Sequence, residues 1–320
     1  MLKDLSPASV GALSAVIAVV CFSINDVAIK FLSGGYALHQ VVLFRSLIGT
    51  TFLLAVILPL SGGWRALRTR RPAMHLLRGL CVVFANMTFF LGLATLPLAE
   101  GVAIFFVSPL IITVMSVVFL GERVGPFRWG AVAVGLLGVV VVLRPGSAAF
   151  QFASLLPVAA AFGYAALHML TRAIGKTEST VALSFYIQLT FVIVTLILGL
   201  AMGDGRYATT SHPSLEFLFR AWRMPDPADW AVLLLVGLAS ALGGFFISHA
   251  YRISEAAVVA PFEYLALPLS VLWGVLVFAD WPDGWTYLGI ALILGAGLTI
   301  IWREAVKGRA RHPQSPRYRR

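Results

Sequence analysis

Charge is what this sequence has least of. Asp, Glu, Lys and Arg make up only 12% of its 320 residues, about half the usual share of a soluble domain. So little polar surface excludes a water-soluble globule. Cysteine is scarcer still. Cys21 and Cys81 both stand inside apolar runs, where they build neither a disulfide framework nor a thiolate metal site. Signature motifs are missing too: there is no G-x-x-x-x-G-K-S/T loop, no H-E-x-x-H and no G-x-S-x-G. That removes the marks of direct ATP use, of zinc hydrolysis and of a serine nucleophile, and no cofactor is expected.

What is present is apolar: 59% hydrophobic side chains, 29 glycines and a mean hydropathy of +0.90. In a bilayer core every backbone amide must find its partner within the chain, which leaves helices or a closed barrel. The runs are too long and too uniformly apolar for barrel strands, which alternate over about 10 residues. The spacing therefore predicts an all-α polytopic membrane protein with ten spans. They lie near residues 9–32, 38–60, 73–95, 98–120, 127–143, 152–172, 180–202, 230–251, 256–279 and 284–302. The first is too long an apolar stretch for a signal peptide, whose core is about 7–15 residues.

Cytoplasmic connections collect Lys and Arg. Alternate connections here carry 17 cations on one side against 4 on the other, which predicts both termini in the cytoplasm. The arginine-rich, Ala-, Gly- and Leu-rich composition fits a GC-rich bacterial genome, and the expected location is a bacterial cytoplasmic (inner) membrane. From Arg303 to Arg320 seven cations face only Glu304. This basic tail fits the anionic lipid surface of the bilayer better than nucleic acid, which is not expected as a partner.

The chain also contains itself twice. PLIITVMSVVFLGERVGPFRWGAVAVGLLG, from Pro109, is echoed by PLSVLWGVLVFADWPDGWTYLGIALILGAG, from Pro268. Each unit holds five expected spans, so residues 1–145 form a first repeat, 150–302 a second and 303–320 the tail. Five is odd, so the second copy must enter the membrane upside down. Inverted repeats around a midplane site recur in secondary transporters.

The helix from Pro109 to Glu122 with its LGERV ending, the glycine-bearing helix after it and the later string VVAPFEYLALPLSVLWGVLVF resemble the EamA-type transporters of the drug/metabolite transporter superfamily. The opening CFSINDVAIKFLS, followed by Arg45, is similar to that family's metabolite-uptake members, which include riboflavin and S-adenosylmethionine carriers. The resemblance covers residues 9–302 and implies a ten-helix carrier with a central cavity. Asp280 stands where the family more often has Glu.

Ionisable groups inside spans are costly and usually face a cavity or a partner. Asp26 and Lys30, four residues apart, share a helix face as a structural or functional pair. Arg45 lies at a similar depth on the second span. Its guanidinium either holds an anionic group of a substrate or forms a fixed bridge to Asp26. His168 and Arg172 repeat the spacing in the second half, with His249 nearby and Glu263 about 10 Å into its span. Arg78, Arg172, Arg252, Glu100 and Glu255 read as interface charges that snorkel.

Pro109, Pro261 and Pro268 loosen their helices at related places, the best sequence pointer to a transporter binding site. Spans four and nine are therefore expected to line the path with one, three, six and eight. Asn86 and Tyr264 offer polar contacts there. Phe89, Phe90, Phe105, Phe106 and Phe262 offer rings, either for a planar solute or for packing. Small faces at Ala131/Gly135 and Ala291/Gly295 suit close helix contact, within a monomer or in a homodimer.

A carrier of a small-molecule metabolite such as riboflavin, S-adenosylmethionine or an amino acid accounts for these features together. An intramembrane enzyme would need a nucleophile with its base, or a metal cluster. A membrane scaffold or sensor would carry a larger soluble domain.

Overall fold

Proline sets where several helices begin. Its φ is already near the helical value and it has no amide hydrogen to leave unpaired. Pro72, Pro126 and Pro213 each open a helix. The computed structural model describes residues 7–120, 125–147, 150–174, 178–208, 212–254, 259 and 262–311, and every regular element among them is helical. In order they are α1 (Pro7–Leu32), α2 (Leu38–Phe52), α3 (Pro72–Leu93), α4 (Leu98–Phe105), α5 (Ser108–Leu120) and α6 (Pro126–Leu143). Then come α7 (Leu155–Ile174), α8 (Thr180–Met202), α9 (Pro213–Phe219), α10 (Asp229–Ile253), α11 (Ala266–Phe278) and α12 (Gly284–Arg311). Through a π-helical turn, Leu53–Ile57, α2 continues to Leu60.

Among the described residues, eight stretches are long and apolar enough to cross a membrane: α1, α2 with its continuation, α3, α4 with α5, α6, α7, α8 and α10. Two shorter apolar helices, Ala266–Phe278 and Gly284–Ile300, stand where the ninth and tenth spans are expected. Large apolar side chains such as Phe119, Leu200 and Trp302 stay exposed. That outward face suits lipid rather than water. The chain is a multi-pass membrane protein.

The helices pair across the bundle: α1 with α10, α3 with α7, α2 with α8, α6 with α12 and α4 with α11. Glycine decides the tightest of these contacts. A Cβ placed on Gly138 of α6 falls 2.9 Å from the Gly289 carbonyl oxygen of α12, so the two backbones touch as small-residue faces allow. Gly135 packs on Leu110 and Ala296 within the bundle, whereas Gly295 meets open space.

Two connections are folded onto the bundle. At one end, the segment from 203 to 228 buries Phe217 completely. Arg220 donates to the carbonyls of Ser33 and Tyr36 at 2.7 and 3.2 Å, and Gln40 donates to the Arg223 carbonyl at 2.5 Å. Toward α8, Ser179 donates to the Ala66 carbonyl at 2.5 Å and Tyr186 to the Leu67 carbonyl at 3.1 Å. The connection from 61 to 71 is thus held to the start of α8 much as the segment 203–228 is held to the start of α2.

Candidate functional site between two helix breaks

The expected loosening around Pro109 is a full break. Phe106 and Val107 form a turn between α4 and α5, and Pro109 stands at the second position of α5, where its missing amide hydrogen costs nothing. A second break mirrors it. Phe262 and Glu263 are helical, Tyr264 and Leu265 form a turn, and α11 starts at Ala266, two residues before Pro268. The two breaks meet in the interior: the rings of Phe106 and Tyr264 lie 5.3 Å apart. Pro261 lies outside the described residues, as do Gly121, Glu122, Glu255 and the tail beyond Arg311.

Beside the breaks is a cavity of about 30 Å³ lined by Asp26, Phe22 and Ser23 of α1, Leu98 and Val102 of α4, and Ala266, Ser270 and Trp273 of α11. Asp26 is the acidic group facing it. Asn25 donates to Asp26 Oδ1 at 3.1 Å, and Trp273 donates to Ser23 at 3.2 Å. On α2, Arg45 is 2% exposed. Its Nη1 donates to Asn86 of α3 at 2.9 Å, and its guanidinium lies 4.6 Å from the Phe191 ring centroid. Asp26 acts on Arg45 electrostatically. The Arg45 Nε and the Asn25 Oδ1 are buried without a hydrogen-bond partner. A buried donor and a buried acceptor left in this way are costly in a purely structural core.

Lys30 behaves differently from its neighbour Asp26. Its ammonium donates to the carbonyls of Leu93 and Leu96 at 2.9 and 2.6 Å and sits 5.2 Å from the Phe278 ring centroid. It thereby closes the C-terminal end of α3, where the carbonyls lack helical partners and the dipole favours a cation. Asp26 and Lys30 both stand on α1, and the lysine's direct bonds go to Leu93 at the end of α3 and to Leu96 just beyond it.

Of the second-half residues, His168 packs edge-on against Tyr164 at 4.4 Å, and Tyr164 lies 5.2 Å from Phe105. Phe105, Phe89 and Phe90 continue this ring ladder at 5.1 and 5.4 Å, so three of the rings considered for a planar solute pack tilted or edge-on against one another. Glu263 acts electrostatically on both Tyr164 and Tyr264. Arg78 acts on His168 and donates to Thr171 at 2.9 Å. Phe105 and Tyr264 therefore tie the groups around Glu263 to the two breaks, while His249 stacks on Phe245 of its own helix at 6.1 Å. No group of three metal-ligating side chains occurs among the described residues.

Sequence reasoning missed Asn25, His39 and His75. Each is buried at a helix position with no periodic or motif signal; only the partner brought by the fold marks it.

Comparison with known proteins agrees with this architecture. The EamA-like transporter family matches residues 9–144. A riboflavin transporter of Rhizobium johnstonii is 34% identical over 300 residues, covering 93% of this chain and 93% of that protein. An S-adenosylmethionine uptake transporter of Rickettsia prowazekii is 28% identical, over 92% of this chain and 94% of its own length. A crystal structure of another protein, 19% identical, shares the fold with a TM-score of 0.66 over 95% of this chain and 99% of that one. The chain belongs to the EamA-like transporter family.

Proposed function

We propose that the protein is a secondary carrier that moves a small organic metabolite across the bacterial cytoplasmic membrane by alternating access. Ten helices form two inverted halves, residues 1–145 and 150–302, with both termini in the cytoplasm. The observation that carries this reading is the meeting of two helix breaks, one from each half, through Phe106 and Tyr264. Broken helices at matching places of two repeats free backbone groups to face a shared site.

The helix pairings support the two halves. Shifting each of the ten expected spans by five turns the α1–α10 contact into the α7–α3 contact, and leaves α2–α8, α4–α11 and α6–α12 each mapped onto itself. The family match ending at residue 144 agrees with a boundary there.

Riboflavin or S-adenosylmethionine is the substrate class, and uptake the direction. The riboflavin and S-adenosylmethionine transporters that the chain resembles over nine-tenths of its length favour the class, and the second, an uptake transporter, favours the direction. Both solutes carry a planar heteroaromatic ring, which suits the ring ladder once it parts. Arg45 and Asn86 bind a carboxylate or carbonyl oxygen of the solute, Asp26 takes its donor or cationic group, and Glu263, Tyr264 and His168 line the other half of the path. A cavity of about 30 Å³ holds a water molecule or two rather than a metabolite, so the halves must separate to admit the solute.

The test is counterflow in liposomes containing the purified protein, with labelled riboflavin, S-adenosylmethionine and an amino acid offered in turn. Saturable exchange of riboflavin or S-adenosylmethionine is expected. Exchange of none of the three by folded protein would sink the assignment.

A further inference from the structure

The two connections that fold onto opposite ends of α2 treat their arginines differently. In the segment 203–228, Arg206 pairs with Asp204 at 3.2 Å, Arg220 with Glu216 at 2.6 Å and Arg223 with Asp226 at 3.3 Å. The connection 61–71 holds Arg65, Arg68, Arg70 and Arg71 and no acidic residue. All four are exposed, and among the described residues none of their guanidinium groups has an ion-pair or hydrogen-bond partner.

These cations do not stand on a loose loop. Ser179 and Tyr186 hold the carbonyls of Ala66 and Leu67, and the Thr69 hydroxyl accepts the Arg71 amide at 2.9 Å. On this frame Arg68, Arg70 and Arg71 line an open depression of about 1000 Å³ together with Trp64, Glu178 and Tyr186, a volume on the scale of small-molecule sites. Glu178 is the acidic side chain among the described residues that line it. It is 4% exposed, lies 3.1 Å from His75 and acts electrostatically on Arg78, so its charge is already engaged on the interior side. Three guanidinium groups held around one concavity repel one another, and an anion from outside the chain relieves that repulsion.

The surroundings say which anion. Leu60 is 81% and Trp64 74% exposed, so the rim is apolar and carries an indole of the kind enriched at headgroup depth. Leu76, Leu77 and Leu80, in the second and third turns of α3 just beyond Arg71, are exposed as well. A phosphate joined to hydrocarbon chains matches both surfaces. Arginine forks take its oxygens in pairs, and the leucines offer the chains an apolar face. A soluble phosphate would use the arginines alone. The orientation proposed above puts this end in the cytoplasm, whose leaflet holds the anionic lipids.

We propose that Arg68, Arg70 and Arg71 form a binding site for the headgroup phosphate of an anionic phospholipid, which clamps the connection 61–71 to the starts of α3 and α8. The site needs only that the chain sits in a membrane, so it stands apart from the identity of the solute.

Native mass spectrometry of the full-length protein in detergent, titrated with phosphatidylglycerol or phosphatidylcholine, reads the first bound lipid directly. An arginine near an anionic lipid surface contributes roughly a factor of five in affinity. Arg70→Gln should therefore weaken phosphatidylglycerol about fivefold, and Arg68→Gln/Arg70→Gln/Arg71→Gln about a hundredfold, with phosphatidylcholine unchanged and, in the unmodified protein, the weaker ligand of the two. Arg206→Gln removes one exposed cation at the other end and should leave the affinity as it is. Equal affinity for the two lipids overturns the proposal. So does full phosphatidylglycerol affinity in the triple variant, which would give the lipid to the basic tail, and so does displacement of the lipid by an equal concentration of glycerol phosphate, which would make this a site for a soluble anion. Should the triple variant fail to fold, Thr69→Glu puts a carboxylate among the arginines while keeping them all. It is expected to weaken phosphatidylglycerol about as much as Arg70→Gln does, and an unchanged affinity there is equally fatal.

Discussion

Arg45 and Arg144 are both arginines facing carboxylates, and they end in opposite circumstances. Arg144, at the end of α6, is 23% exposed and reaches Asp283 at 2.5 Å and Glu100 at 3.5 Å. It ties the starts of α4 and α12 to the end of α6, in contact with solvent. Arg45 is 2% exposed, bonds the neutral amide of Asn86, rests on the Phe191 ring and keeps a buried Nε without a partner. A helix-end arginine saturated by acids is a fastening. A buried arginine whose donors are only partly used carries the cost of an unpaired donor, and under the function proposed above that donor is the one the solute takes up.

The largest expected effect comes from removing that reserve. Arg45→Ala should lower uptake of the transported solute at least tenfold, because a hydrogen bond to a charged group contributes about 1.5–3 kcal/mol. Arg45→Lys keeps the charge but loses the planar fork, and should recover only part of the activity. Initial uptake rates in liposomes, normalised to monodisperse protein, measure both. Full activity in Arg45→Ala would make Arg45 a fastening like Arg144.

Next in size is the coupling between Arg45 and Asp26. If the two act on one solute, the effects of Arg45→Lys and Asp26→Asn on uptake should depart from additivity by about 0.5–3 kcal/mol. Arg144→Ala combined with Asp26→Asn should be additive within about 0.5 kcal/mol, since among the described residues the ion-pair partners of Arg144 are Asp283 and Glu100, neither of which lines the cavity. A double-mutant cycle on uptake rates separates the outcomes.

This contrast was half legible in the sequence. An ionisable residue within an apolar run is conspicuous, so Asp26, Lys30, Arg45 and Glu263 stood out. Hydropathy likewise marked ten spans, because lipid demands uniform runs of about 20 residues, and among the described residues eight of them are helices long and apolar enough to cross a membrane. What Lys30 and Arg45 touch depends on neighbours more than forty residues away. Lys30 lies four residues from Asp26 yet spends its ammonium on Leu93 and Leu96. The bonds of Arg45 to Asn86 and of His75 to Glu178 span 41 and 103 residues, and no periodicity encodes such a pair. The break at Phe106 and Val107 was foreshadowed by Pro109, since proline signals that a helix restarts, but the tilted contact of Phe106 with Tyr264 was not.

Smaller effects should follow at the fastening. The backbone of Arg144 has φ +46°, a left-handed conformation that costs a side-chain-bearing residue about 1–2 kcal/mol. Arg144→Gly removes the ion pairs and this strain together, whereas Arg144→Ala removes only the pairs, which at a solvent-touched site are worth about 0–1 kcal/mol. The glycine variant should therefore melt above the alanine variant, with uptake unchanged in both. Thermal unfolding followed by tryptophan fluorescence checks the order, and an alanine variant that melts higher would mean that the left-handed backbone at this position stores no strain that glycine relieves.

The smallest effect concerns acid. Asp283 begins α12 by accepting the Thr286 amide at 2.9 Å. That bond, then the Thr286 hydroxyl and Arg144, holds its carboxyl below the ordinary range. A depressed carboxyl binds its proton more readily in the unfolded chain. Its stabilisation is therefore complete above about pH 4, the ordinary value, and is lost as the pH falls through the lower folded value. Asp283→Asn can still accept the Thr286 amide, as asparagine caps helices nearly as well as aspartate, but it has no proton to take up. The unmodified protein should lose part of its stability advantage over Asp283→Asn on going from pH 5 to pH 3, and paired melting temperatures at the two values measure that difference. An advantage that stays constant across the interval would mean that the Asp283 charge contributes nothing, and that the cap alone fastens α12 to the corner held by Arg144.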